Sequence, residues 1–164
     1  MMHRENIGIS IEGAKEEELE ELVSLYLKSY VGLEEYSYTH PEDVKAYMGW
    51  LWRRDPEGIR VAKVDGKVVG FVAGDSGWFS KRAQKIVGAI HEIAVLPEYQ
   101  GLGIGKALME RILEYFRNKG LDSVELWVGD ENRRAMEFYE KLGFKRASQY
   151  NYWVRMVKDL GSKA

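Results

Sequence analysis

The 164-residue chain contains no cysteine. Disulfides, thiolate nucleophiles and cysteine metal sites are therefore excluded, and any acyl transfer must be direct or use another nucleophile. Long apolar runs are also missing. No stretch approaches the roughly 18 apolar residues of a membrane helix, and the opening MMHRENIGIS lacks the apolar core of a secretion signal. A cytoplasmic protein with no membrane association is expected. Excess charge of either sign is lacking too: the formal net charge is -2, which gives no bulk reason to expect nucleic acid. Histidine is sparse, and His3, His40 and His91 show no metal-ligand spacing, so no metal is expected. The length suits one domain spanning residues 1–164, large enough to bury most of its apolar side chains.

What is present centres on residues 91 to 109, HEIAVLPEYQGLGIGKALM: an apolar strand, a polar turn, a glycine cluster and the start of a helix. Gly101, Gly103 and Gly105 remove side chains where a helix begins. Unpaired backbone N–H groups there can approach a phosphate closely, and the helix dipole favours the anion. Lys106 adds a cation to the first turn, a position disfavoured by roughly 0.3 to 1 kcal/mol unless an anion lies nearby. Alternatively the glycines make only a tight turn and Lys106 is a solvated charge. Known phosphate loops do not fit: a dinucleotide fingerprint needs glycine at Lys106 or Leu108, and a P-loop needs glycine at Gln100 and Ser or Thr at Ala107.

Along the chain, Ile7 to Ile11 reads as a strand and Ala14 to Tyr30 as a helix with one apolar face. An acidic, aromatic loop (Gly32 to Asp43) leads to a helix over residues 42–54. This second helix carries Tyr47, Met48, Trp50, Leu51 and Trp52, more aromatic surface than one buried stripe needs, for the core or for a pocket. Asp65-Gly66 between apolar runs 59–64 and 67–74 predicts a hairpin. Ser76 to Lys85 reads as a polar loop, and Ile86 to Val95 as a strand.

The helix after the glycines ends at Gly120. In VELWV, Val124, Leu126 and Val128 alternate with Glu125 and Trp127, giving one aliphatic face. A short helix follows Asn132 and stops at Gly143, and strands at 144–147 and 150–157 precede a frayed end of about six residues. The run of strands from Ile59 to Val95 breaks the strict alternation of a doubly wound fold. The order is β-α-α-β-β-β-α-β-α-β-β, an α+β domain.

The glycine stretch resembles the acyl-coenzyme A loop of the GCN5-related N-acetyltransferases (GNAT), in which Gln or Arg is followed after two residues by Gly-x-Gly/Ala. Here these are Gln100, Gly103 and Gly105, behind the strand Ile93 to Val95. A second block, Asn132, Ala135, Phe138-Tyr139 and Leu142-Gly143-Phe144, follows the family spacing. The two blocks span about one third of the chain.

The resemblance implies a single GNAT-type domain with a mixed central sheet flanked by helices on both faces. It implies acetyl-CoA as acyl donor, with its diphosphate on the N–H groups of Gln100, Gly101, Leu102, Gly103, Ile104, Gly105 and Lys106. Its pantetheine arm would pair with Ile93, Ala94 and Val95. Asn132 would bond the cofactor or cap its helix; Gln100 would touch the diphosphate or close the turn. Tyr139 is placed as acid to the leaving thiolate, or else is only an edge residue of the core. The partners implied are acetyl-CoA and an amine, for a monomer or homodimer.

An attacking ammonium of pKa about 10.4 must first lose a proton, and His91 and Glu92 are the candidates on the strand. Strict alternation sends them to opposite faces. Glu92 is taken as the catalytic base; otherwise it is a solvated or paired carboxylate. Relatives that acetylate protein N-termini often carry Glu or His where this chain has Trp127, which favours a small amine over a protein N-terminus. Glu34, Glu35 or His40 in the interhelical loop would select a cationic acceptor. The function expected is N-acetylation of a primary amine by direct attack, the alternatives being a non-catalytic acyl-CoA-binding module or a protein N-terminal acetyltransferase.

Overall fold

The computed structural model describes residues 8–161. The chain runs β1 (Ile9–Gly13), α1 (Leu19–Ser29), α2 (Pro41–Arg54), β2 (Ile59–Val64), β3 (Lys67–Ser80), β4 (Lys85–Val95), α3 (Ile104–Asn118), β5 (Ser123–Gly129), α4 (Arg133–Lys141), β6 (Lys145–Tyr150) and β7 (Trp153–Asp159). The strands form one sheet in the order β1-β2-β3-β4-β5-β7-β6. Every pairing is antiparallel except β4 with β5. This is the mixed α+β sheet expected. The turn between β2 and β3 is made by Asp65 and Gly66, both at positive φ (51° and 78°), as a two-residue hairpin turn requires.

Helix α3 covers one face of the sheet: a Cβ on Gly74 would meet Ile112, and one on Gly88 the Phe116 ring. Helices α1 and α2 pack on each other and on the opposite face. Each helix contributes an apolar stripe to the core, Leu22, Leu25 and Tyr26 from α1, Val44, Met48 and Leu51 from α2, and Leu108, Ile112 and Phe116 from α3.

Four boundaries differ from the sequence reading. The first strand is Ile9–Gly13, with Ile7 outside the described residues. The first helix opens as a 3-10 turn at Glu16–Glu18, where the Lys15 N–H donates to the Glu18 carboxylate at 2.8 Å. Most of the supposed loop at 76–85 is strand, because Trp78, Phe79 and Ser80 pair with Val87, Ile86 and Lys85 after an irregularity at Ser76-Gly77. Its polar composition reflects an exposed hairpin tip. The last two strands are divided at Asn151-Tyr152 rather than at 148–149, since Asn151 takes the left-handed conformation (φ 53°) that asparagine tolerates. At the end expected to fray, Asp159 closes β7 and the Leu160 N–H donates to the Asp122 carbonyl at 2.8 Å; residues 162–164 lie outside the described residues.

Gly88→Ala would place a Cβ 2.6 Å from the Phe116 ring. The expected destabilisation is about 1–3 kcal/mol, read as a fall in Tm of roughly 2–4 °C per kcal/mol in thermal denaturation.

Candidate active site

The site begins where two parallel strands part. β4 and β5 pair only from Gly88↔Val124 to Ile90↔Leu126. On its other side β4 pairs Ile90 with Gly74 but Glu92 with Ala73, so His91 is one residue too many, a β-bulge. Beyond it, Ile93, Ala94 and Val95 pair with Val72, Phe71 and Gly70 of β3. Their edge toward β5 has no strand partner among the described residues and lines a cleft.

The bulge overturns one expectation from simple alternation. His91 and Glu92 do not face opposite sides of the sheet: the His91 ring packs on Trp50 of α2, while Glu92 meets Tyr30 of α1 and Tyr47 of α2. An inserted residue resets the two-residue period, so neighbours on either side of it share a face.

At the lower end of β4, Gly101 and Gly103 both take positive φ (81° and 84°), which only glycine adopts without strain. Gly103 is the N-cap of α3, with no side-chain cap and no acidic residue in the first turn. The first helical bond runs from Ala107 N–H to the Gly103 carbonyl at 3.0 Å. The N–H groups of residues 101–106 thus have no acceptor among the described residues, and an anion would satisfy them.

Gly105 has a different reason. It lies inside α3 with ordinary φ, and a Cβ there would touch the Phe138 ring of α4 at 3.4 Å. Lys106 is exposed, 3.9 Å from Glu110. Leu102 and Ile104 anchor the turn in the core. The Gln100 side chain donates to the Val95 carbonyl at 3.1 Å, so it closes the turn. Asn132 accepts from the Ala135 N–H at 3.3 Å as the N-cap of α4, and it also borders the cleft.

The cleft opens into a cavity of about 690 Å³ that brings Ile93, Ala94, Val95, Gln100, Asn132 and Tyr139 together with Glu92. Glu92 is 8% exposed. The Tyr30 hydroxyl donates to one carboxylate oxygen and the Tyr47 hydroxyl, at 3.1 Å, to the other. Burial pushes this carboxyl up to about 7, against the opposing pull of the two phenols and the Ile93 backbone. The Tyr47 hydroxyl also lies 3.0 Å from the His91 carbonyl, which ties the bulge to the carboxylate. Tyr139 has no hydrogen-bond partner among the described residues, and burial, then the charge of Glu92, hold its phenol above the ordinary value.

Several of these groups were not singled out from sequence. In sequence Tyr30 is only the end of a helix. Tyr47 belongs to the aromatic excess of the second helix, and that excess splits: Tyr47 lines the cavity, Trp50 packs on His91, and Met48 and Leu51 are core. Behind the bulge, fully buried Asp75 accepts from Arg54 at 2.7 Å and lies 2.9 Å from the His91 ring nitrogen, a cluster without a sequence motif. Trp127 is 40% exposed and lines the cavity. Of the loop residues, Glu35 reaches the cavity, whereas both Glu34 oxygens accept from the Gly32 N–H and His40 is an exposed N-cap. Among the described residues no group of three His, Cys, Asp or Glu could hold a metal ion, and no helix is long and apolar enough to cross a membrane.

The Acetyltransferase (GNAT) family model matches residues 19–144, a span that contains the parted strands, the glycine turn and Tyr139. The chain belongs to the GNAT family. A GNAT relative from Archaeoglobus fulgidus, described as an uncharacterized N-acetyltransferase, is 48% identical over 84% of this chain and 94% of its own length. A crystal structure of a Pyrococcus horikoshii OT3 protein, 43% identical, superposes with a TM-score of 0.85 over 93% of this chain and 98% of that one. The yncA protein of Salmonella typhimurium, solved with acetyl-CoA, shares the GNAT fold at 18% identity, with a TM-score of 0.76 over 95% and 96% of the two chains.

Because the Glu92 carboxyl rises from 4.5 to about 7 on folding, the folded state binds its proton more tightly than the unfolded chain does. This contribution is fully present below pH 4.5 and is lost as pH rises to about 7, on the order of 3 kcal/mol in all. Glu92→Gln is expected to remove it: the Tm difference between variant and parent should widen in the variant's favour across this window in a pH series of thermal melts.

Proposed function

We propose that this chain, an acetyl-CoA-dependent acyltransferase by family, moves an acetyl group to the nitrogen of a primary amine by direct attack, with Glu92 as base and Tyr139 as acid. The single observation that carries the reading is the meeting of a buried carboxyl and a free phenol in one cavity, at the mouth of parted strands and beside an uncapped glycine turn.

The donor end is made of backbone. The free N–H groups of 101–106 suit the diphosphate of acetyl-CoA, and the unpaired edge of Ile93, Ala94 and Val95 suits an amide-bearing arm laid alongside it. An N–H on that same edge would stabilise negative charge developing on the thioester oxygen.

Glu92 takes the proton that the ammonium must shed. With its carboxyl raised to about 7, it is substantially ionised near neutrality yet basic enough to accept a proton, the compromise a general base requires. Its phenol partners orient it through both oxygens. Tyr139, held protonated, gives its proton to the departing thiolate. A bulky Trp127 in the cavity wall supports a small amine over a protein N-terminus. The retention of both titrating groups supports an enzyme rather than a binding module.

Tyr139→Phe is expected to lower kcat by about 100-fold while leaving the affinity for acetyl-CoA, measured by titration calorimetry, nearly unchanged. For the parent enzyme, kcat/KM with a small amine should climb through an inflection near Glu92's value of about 7, and Glu92→Gln should lose that inflection along with most of the rate. Unaltered turnover in Tyr139→Phe would remove the phenol from the mechanism.

A further inference from the structure

Beyond Glu92 the cavity is walled by the loop between α1 and α2 and by the β6–β7 turn. Tyr36 fixes the two together. Its hydroxyl accepts from the Glu131 N–H at 3.1 Å and reaches Asp130 at 3.4 Å. Its ring occupies the space above Gly129, where a Cβ would come within 2.3 Å, and packs on Tyr152 and Trp153 at 6.1 and 5.7 Å between centroids.

The lining is chemically one-sided. Eight of the ten tyrosines contribute to it, with Trp127 and Trp153, and aromatic faces attract cations. No lysine or arginine lines it among the described residues, and its carboxylates are Glu92 and Glu35. Glu35 is exposed at the rim and has no hydrogen-bond or ion-pair partner among the described residues, in contrast to Glu34, whose oxygens are taken by Gly32. An ammonium entering here meets negative charge and ring faces; a carboxylate meets like charge and no cation.

We infer that the acceptor is a carboxylate-free diamine, its reacting nitrogen at Glu92 and its second ammonium held by Glu35 among the aromatic faces of the rim. This rests on the amine-acetylation reading above and adds the substrate class to it. The two ends of the acceptor do different work: the inner amine must lose its proton, whereas the outer one must keep it to pair with Glu35. An α-amino group fails at Glu92 because the carboxylate on the same carbon would enter the closed site with it.

Three matched compounds test this with acetyl-CoA in excess: 1,5-diaminopentane, n-pentylamine, which lacks the second charge, and lysine, which adds a carboxylate. The diamine is expected to exceed pentylamine in kcat/KM by about 5-fold, the scale of one exposed ion pair. It should exceed lysine by a similar factor at lysine's side-chain amine, because the carboxylate then stands at the exposed rim beside Glu35; acetylation of lysine's α-amine, which would carry the carboxylate in to Glu92, should be lower by about 100-fold or more. Glu35→Gln should bring the diamine down to the parent's pentylamine value. Glu34→Gln, which keeps an acceptor oxygen for Gly32, should not.

Lysine turned over as well as the diamine, or equal losses in Glu35→Gln and Glu34→Gln, would overturn the assignment. So would acetylation of peptides with none of the three amines. In each of those outcomes amine acetylation itself stands. Absence of acetyl-CoA binding by titration calorimetry would instead bring down the reading beneath it.

Discussion

One inserted residue in β4 sets the geometry on which the rest of this site depends. His91 breaks the register with β3 at the point where pairing with β5 stops. A bulge locally increases twist and bends its strand, and here it separates two parallel strands that would otherwise zip together. The separation leaves a backbone edge without a strand partner among the described residues, and the change of period turns Glu92 toward α1 and α2. Without the bulge, Glu92 would lie on the face covered by α3, away from the cavity.

The bulge is held from several sides. The His91 ring is set between Trp50 and Trp78, at 4.9 Å from each, and beside fully buried Asp75. Its carbonyl is within reach of the Tyr47 hydroxyl, which also serves Glu92. Asp75 in turn holds Arg54, and those two partners keep its carboxyl down at about 2 despite burial. A carboxylate that stays charged near neutral pH and a carboxyl balanced there thus sit close together along β3 and β4. The difference follows from partners: guanidinium, imidazole and the Gly77 N–H for Asp75, against two neutral phenols and the Ile93 backbone for Glu92.

On the proposed reading, the two ends of the cavity are built from different materials because they meet different chemistry. A diphosphate and an amide-bearing arm can be bound by backbone N–H and C=O groups, so the donor end needs glycines and an unpaired strand edge more than particular side chains. An amine must be selected and deprotonated, which requires titratable and aromatic side chains, and these come from α1, α2, β5 and the β6–β7 turn.

Local order is what the sequence by itself determined. Gly101 and Gly103 announce a left-handed turn into a helix, Asp65-Gly66 a hairpin, and Asn132 a helix cap, because each depends on near neighbours and on backbone conformations that few residues adopt. The family resemblance likewise rests on two contiguous blocks. Only the tertiary structure decided which face Glu92 occupies, since a bulge arises from competition between two neighbouring strands and leaves no mark in the period of one. The same is true of Tyr30 and Tyr47, whose hydroxyls meet Glu92 from 62 and 45 residues away, and of Tyr36, placed over Gly129 by the packing of a loop. Contacts of that range are fixed by how layers stack, and stacking is a property of the whole chain.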